Sequence, residues 1–243
     1  MTYCIGMKLD KGLVFMADTR TSAGVDNFAV TRKMFTWTVD GDRAITVMTA
    51  GNLATTQAVI SLLEERSKSP ENRDPSILRA ETMFQVARLV GATLKEVIAD
   101  SSPMGQTGAD KFSASIILGG EIKGGQPSIF MIYPAGNFIE VTADTPFFQI
   151  GETKYGKPIL VRAYDPSMSF DEAVKLLLVS FDSTIKSNLS VGLPFDLQTY
   201  TAGSFDNAKI TRIESDDPVF SAISTGWSEA LRDAFTKLPS YKV

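Results

Sequence analysis

Residues 53–100 hold two long helical patterns in direct succession, with β-hairpin patterns before and after them. This order limits the fold more than any other feature of the chain. A parallel doubly wound sheet alternates strand with helix, so that architecture is excluded. The first helix is expected over 53–66, where Leu53, Val59, Ile60, Leu62 and Leu63 recur at helical spacing. Residues 67–75 read as a loop, and a second helix is expected over 76–100, with Ile77, Phe84, Ala87, Val90, Leu94 and Val97 or Ile98 on one face. Ahead of them, strands are expected over 3–9, 13–17, 34–39 and 44–49. Asp10-Lys11-Gly12 and Asp40-Gly41-Asp42-Arg43 supply the tight turns between these strands.

Behind the helices, strands are expected over 113–118, 128–133, 138–141 and 147–150, punctuated by Gly119-Gly120 and Gly124-Gly125. Helices over 155–164 and 169–186 follow, the second opened by Ser169 and Glu172 at capping-box spacing. Strands near 197–201 and 208–213 and a helix over 218–237 complete the chain. The sum is an α+β fold, two antiparallel sheets stacked between helix layers. No repeat, low-complexity tract or long linker divides it, so one domain over 1–243 is expected.

The chain contains no histidine. That removes Ser-His-Asp and Cys-His machinery. With one cysteine, Cys4, it also removes the usual zinc ligand sets, and no metal or cofactor is expected. Any catalytic base must be a carboxylate, a lysine or a terminal amine. The net charge of −4 offers no basic patch for nucleic acid or an anionic membrane. No apolar run is long enough to cross a membrane. The start MTYCIGMKLDKG lacks a basic segment followed by an apolar one, so no secretory signal is expected. A lone cysteine fits a reducing compartment, and the cytoplasm is the expected location. Cys4 itself reads as a buried strand residue.

Gly151-Glu-Thr-Lys-Tyr-Gly156-Lys157 follows a strand and matches most of a phosphate-binding loop. The motif needs Ser or Thr after its lysine to hold Mg²⁺. Here Pro158 has neither hydroxyl nor amide hydrogen, so nucleotide binding is not expected.

The chemistry concentrates elsewhere. Removal of Met1 before the small residue Thr2 would leave one residue with a hydroxyl and a free α-amine. Ala17-Asp18-Thr19-Arg20 ends the second strand, Val30-Thr31-Arg32-Lys33 leads into the third, and Thr49-Ala50-Gly51-Asn52-Leu53 joins the fourth to the first helix. Here the chain resembles the proteasome β-subunit family of N-terminal threonine peptidases and its bacterial relative HslV. In particular it resembles the bacterial branch called Anbu, over residues 2–27 and again over TAGNLATTQ.

That resemblance implies a four-layer αββα sandwich of the N-terminal nucleophile (Ntn) hydrolase type. It implies Thr2 as nucleophile, Asp18 as buried acid, Lys33 as the lysine between them, and Gly51 as the glycine whose N–H meets the oxyanion. Ser22 and Leu53 would flank an extended peptide or protein substrate. It also implies a large homo-oligomer, ring-like or open helical. No ATPase motif is present, which leaves an ATP-driven unfoldase partner unknown.

Two features depart from the family pattern. Gly151 is followed by Glu152 where a serine usually stands. Asn188 and Val191 replace an aspartate and a serine, with Ser190 beside them. A carboxylate at 152 is expected to hold the terminal amine as ammonium and weaken it as a base. Two functions therefore compete: a threonine hydrolase, and a non-catalytic assembly protein that keeps the fold as a scaffold.

Overall fold

A computed structural model of the chain describes residues 1–22, 28–69, 75–101, 109–206 and 209–241. Two five-stranded antiparallel sheets are stacked. In the first, the order is β10 (Phe147–Gly151), β1 (Tyr3–Leu9), β2 (Gly12–Asp18), β11 (Phe195–Thr201), β12 (Thr211–Ile213). The second runs β5 (Met34–Val39), β6 (Arg43–Gly51), β7 (Ala114–Ile122), β8 (Ser128–Ile132), β9 (Phe138–Glu140). A small ribbon of β3 (Arg20–Ser22) and β4 (Phe28–Val30) stands apart.

Strand alternation builds three apolar layers. From β1, Tyr3, Ile5, Met7 and Leu9 pack outward against Leu177 and Phe181 of α4 (Phe170–Ile185) and Leu160 of α3 (Lys157–Ala163). Cys4 faces the other way and meets Phe15, Met48, Ile117 and Ile150 between the sheets. The second sheet turns Ile45, Val47, Ile116 and Leu118 toward α1 (Leu53–Ser67) and α2 (Met83–Ser101). Helix, sheet, sheet, helix is the expected four-layer order.

Capping fixes where the helices begin. Asn52 accepts the Thr55 N–H at 3.0 Å and starts α1. Ser169 and Glu172 close the expected capping box on α4. Asp217 caps α5 (Pro218–Thr236) by accepting from Phe220 N. Only Phe220 of α5 is buried, and residues 229–241 are all exposed.

The second helix begins at Met83, not at 76 as its apolar spacing suggests. Arg43 explains the difference. Its guanidinium donates to the carbonyls of Ile77 and Ala80 at 3.1 and 2.7 Å, drawing that stretch into a turn against the sheet. Helical pairing resumes where Thr82 caps Gln85 N. β7 runs through Gly119-Gly120, expected as a break. A side chain at Gly119 would meet the Phe15 ring at 2.5 Å, so the glycine makes room for an aromatic between the sheets. The β3–β4 ribbon was not expected. Part of the expected loop over 67–75, and residue 208 of the expected last strand, lie outside the described residues.

Candidate active site

Asp18 ends β2 with no exposure to water. A buried carboxylate is costly unless its lone pairs are satisfied. Oδ1 accepts from Lys33 Nζ at 2.7 Å and from Tyr3 N at 2.9 Å, and Oδ2 accepts from Gly192 N at 3.3 Å. Burial lifts the Asp18 carboxyl above its ordinary pKa, and the ammonium and two N–H groups oppose that lift. Lys33 is itself buried, and its ammonium also donates to Arg20 O at 2.6 Å. Its own carbonyl accepts from Thr49 N, which ties the approach to β5 onto β6.

The start of the chain is clamped beside this pair. Thr2 O accepts the Glu152 N–H at 2.7 Å. Gly151 opposes Tyr3 in the β1–β10 ladder with φ +82°, and a Cβ there would lie 2.0 Å from Thr2 O. Only glycine takes that backbone shape without strain and permits that approach. Thr2 is 9% exposed, while Met1 is 60% exposed. The Met1 amine is held below its ordinary value by burial first and by Lys33 second, against the pull of Asp18.

Gly51 ends β6 at φ +116°, where a Cβ would meet Ser113 O at 2.4 Å. The next residue caps α1, so the Gly51 peptide lies at the positive end of a helix. Thr2, Thr21, Arg32, Lys33, Gly51 and Leu53 together line a cavity of about 360 Å³, which Met1 also borders. Three expected site residues, Thr2, Lys33 and Gly51, thus meet at one cleft, with Asp18 behind them and Leu53 on the wall. Ser22 closes β3, but its side chain lies outside what the structure describes.

Glu152 is buried. Its Oε1 accepts from Lys154 N at 2.8 Å and its Oε2 from Asn188 Nδ2 at 2.9 Å. Asn188 Oδ1 in turn accepts from Ser190 N, and Asn188 Nδ2 sits 3.0 Å from Met1 Sδ.

The residues that hold the acid were not visible beforehand. Tyr3 and Gly192 act through backbone N–H groups, which carry no residue signature. Arg20 donates to Leu189 O at 3.0 Å and lies against Gly192, fastening residues 189–192 over Asp18. Tyr3 adds a buried network behind β1, with its hydroxyl 2.7 Å from Ser180 Oγ and accepting from Gln149 Nε2. Cys4 is buried as expected, and burial pushes its thiol well up. The decoy phosphate loop spends the Glu152 N–H on Thr2, and Tyr3 and Ser180 fill the space at Gly156. Among the described residues no cluster of His, Cys, Asp or Glu is arranged to hold a metal, and no helix is long and apolar enough to cross a membrane.

The model of the proteasome-subunit family matches residues 2–197. Anbu, the ancestral beta-subunit, from Yersinia bercovieri is 45% identical over the whole of both chains, with a TM-score of 0.92. The chain belongs to the Anbu branch of the proteasome subunits. Anbu from Hyphomicrobium sp. strain MC1 is 47% identical, again over both whole chains, with a TM-score of 0.91. The helical assembly of the Anbu complex from Pseudomonas aeruginosa is 47% identical over 99% of this chain and 98% of that one, with a TM-score of 0.92. No curated protein matches the chain. The family model stops inside β11, whereas the Anbu chains align through β12 and α5. The proteasome fold and its four layers are those expected from sequence.

Proposed function

We propose that this Anbu subunit is an N-terminal threonine hydrolase of peptide or related amide bonds, with Thr2 as nucleophile once Met1 is removed. One observation carries the reading: Asp18 Oδ1 accepts from both the Lys33 ammonium and the Tyr3 N–H, so one buried carboxylate orients the lysine and the start of the chain together. Thr2 Oγ attacks the substrate carbonyl carbon and passes its proton to its own α-amine, while the Lys33 ammonium stabilises the charge developing on Oγ. General-base help of this kind is worth about 10²–10⁴ in rate. The Gly51 N–H, backed by the α1 dipole, receives the oxyanion, a contribution of about 10²–10³. The C–N bond then breaks and the departing amine takes the proton. Water, activated by the α-amine, hydrolyses the Thr2 ester and restores the enzyme.

The subunit works in the cytoplasm within a large homo-oligomer, as the helical assembly of the Pseudomonas relative supports. The rival reading is a non-catalytic scaffold. It is favoured by Glu152 and Asn188, which bond to each other at 2.9 Å where the family pattern has a serine and an aspartate. Intact mass before and after treatment with an epoxyketone or β-lactone separates the two. A chain lacking Met1 that takes up one probe, and loses that uptake in Thr2→Ala, is the expected result. Retained Met1, or a processed chain that never reacts, would leave the scaffold.

A further inference from the structure

Two cations line the cleft, and only Lys33 is consumed by the machinery behind Thr2. Arg32 is held differently. Its Nε donates to Met34 O at 2.6 Å, and its guanidinium carbon sits 4.9 Å from the centre of the Phe35 ring. Those two contacts fix the plane, and among the described residues they leave both terminal nitrogens of the fork uncommitted. Among the described residues Arg32 forms no ion pair, because the one carboxylate behind the cleft, Asp18, is bound to Lys33. The other lining groups, including Thr21, Thr49, Leu53 and Thr56, bring no carboxylate. The cleft is cationic in a chain whose net charge is −4, so the bulk composition does not account for it.

A guanidinium already anchored and stacked loses little freedom when it grips a planar anion. Carboxylates are the side chains that match its fork. A cavity of about 360 Å³ is small for a binding site and suits one side chain beside the reacting amide. We infer that Arg32 reads a carboxylate on the substrate, so that Thr2 acts on amide bonds adjoining aspartate or glutamate. Short acidic peptides are then the substrate class, and chains with lysine or arginine at that position are repelled. This rests on the Thr2 hydrolase reading.

The test uses three epoxyketones that differ only in the residue next to the warhead: glutamate, leucine or lysine. Rates of Thr2 adduct formation on the full chain are followed by intact mass. The glutamate probe should react about ten- to a hundredfold faster than the leucine probe, the span of one charge-assisted contact, with lysine slowest. Added salt should shrink that ratio. Arg32→Gln should bring the ratio close to one, and Arg32→Glu should turn it toward lysine. Because the readout is a ratio, a general loss of rate in the variants does not mimic the result. If the variants fail to fold, the ranking and salt response of the wild-type chain decide alone. Leucine or lysine probes that label Thr2 as fast as glutamate, or a glutamate preference that survives Arg32→Gln, would overturn the acidic preference and leave the hydrolase standing. Failure of all three probes would overturn both.

Discussion

Lys33 Nζ lies 2.7 Å from Asp18 Oδ1, with both side chains almost wholly out of water. Removing one partner of such a pair strands the other in a low-dielectric interior. Asp18→Ala should cost about 3–5 kcal/mol in urea unfolding. Lys33→Met should cost less, because burial already favours the protonated form of Asp18 and the acid can neutralise itself. The double variant should fall short of the sum of the singles by about 0.5–3 kcal/mol. Strict additivity would mean that the two groups do not depend on each other.

Gly151→Ala tests the clamp on Thr2, the proposed nucleophile. The added methyl would collide with Thr2 O, at a φ that alanine adopts only with strain of about 1–3 kcal/mol. Labelling of Thr2 by a covalent probe should fall by more than the loss in Tm accounts for, because the collision lands on the reacting residue. Unchanged labelling would show that the position of the Thr2 carbonyl does not matter to the chemistry.

Tyr3 gives a pH signature. Burial pushes its phenol from 10.0 up to about 12. A folded pKa above the unfolded one means that stability is complete below pH 10 and is lost as pH climbs toward 12. The full effect is about 3 kcal/mol. Urea midpoints should therefore drop across that window, and the drop should be shallower in Tyr3→Phe. An equal slope in both proteins would assign the alkaline loss to other groups.

The far end of α5 exposes Leu231 and Phe235, the latter 76% bare, four residues apart, and Leu238 just beyond the helix is exposed as well. An apolar stripe of this kind on a protein proposed to assemble is a candidate contact between copies. Leu231→Glu combined with Phe235→Glu should shrink the particle seen by light scattering while the subunit keeps its Tm within a few degrees. A particle of unchanged size would move the contacts to other faces.

Most of the architecture could be read because its signals are local. Alternation and glycine turns mark the strands, and Ser169 with Glu172 marks a helix start that the fold uses. The start of α2 was misread because Arg43, some forty residues earlier, takes carbonyls that local spacing assigns to a helix. The three-residue strands β3 and β4 are too short to show a period. Thr2, Asp18, Lys33 and Gly51 were named through resemblance, and their convergence depends on pairings that spacing does not encode. Gly192 reaches Asp18 from 174 residues away through a backbone N–H. Sequence marked Glu152 as a departure from the family pattern but could not tell that its two oxygens would turn to Lys154 and Asn188.

The cleft straddles the seam of the sandwich: Thr2 and Asp18 belong to the first sheet, Lys33 and Gly51 to the second. On the ribosome Thr2 is made first, yet its clamp arrives with Gly151 and the last donor to Asp18 with Gly192. For most of its synthesis the nascent polypeptide carries a threonine that is chemically ordinary. On the hydrolase reading proposed above, the nucleophile would become competent only when the two sheets close on each other.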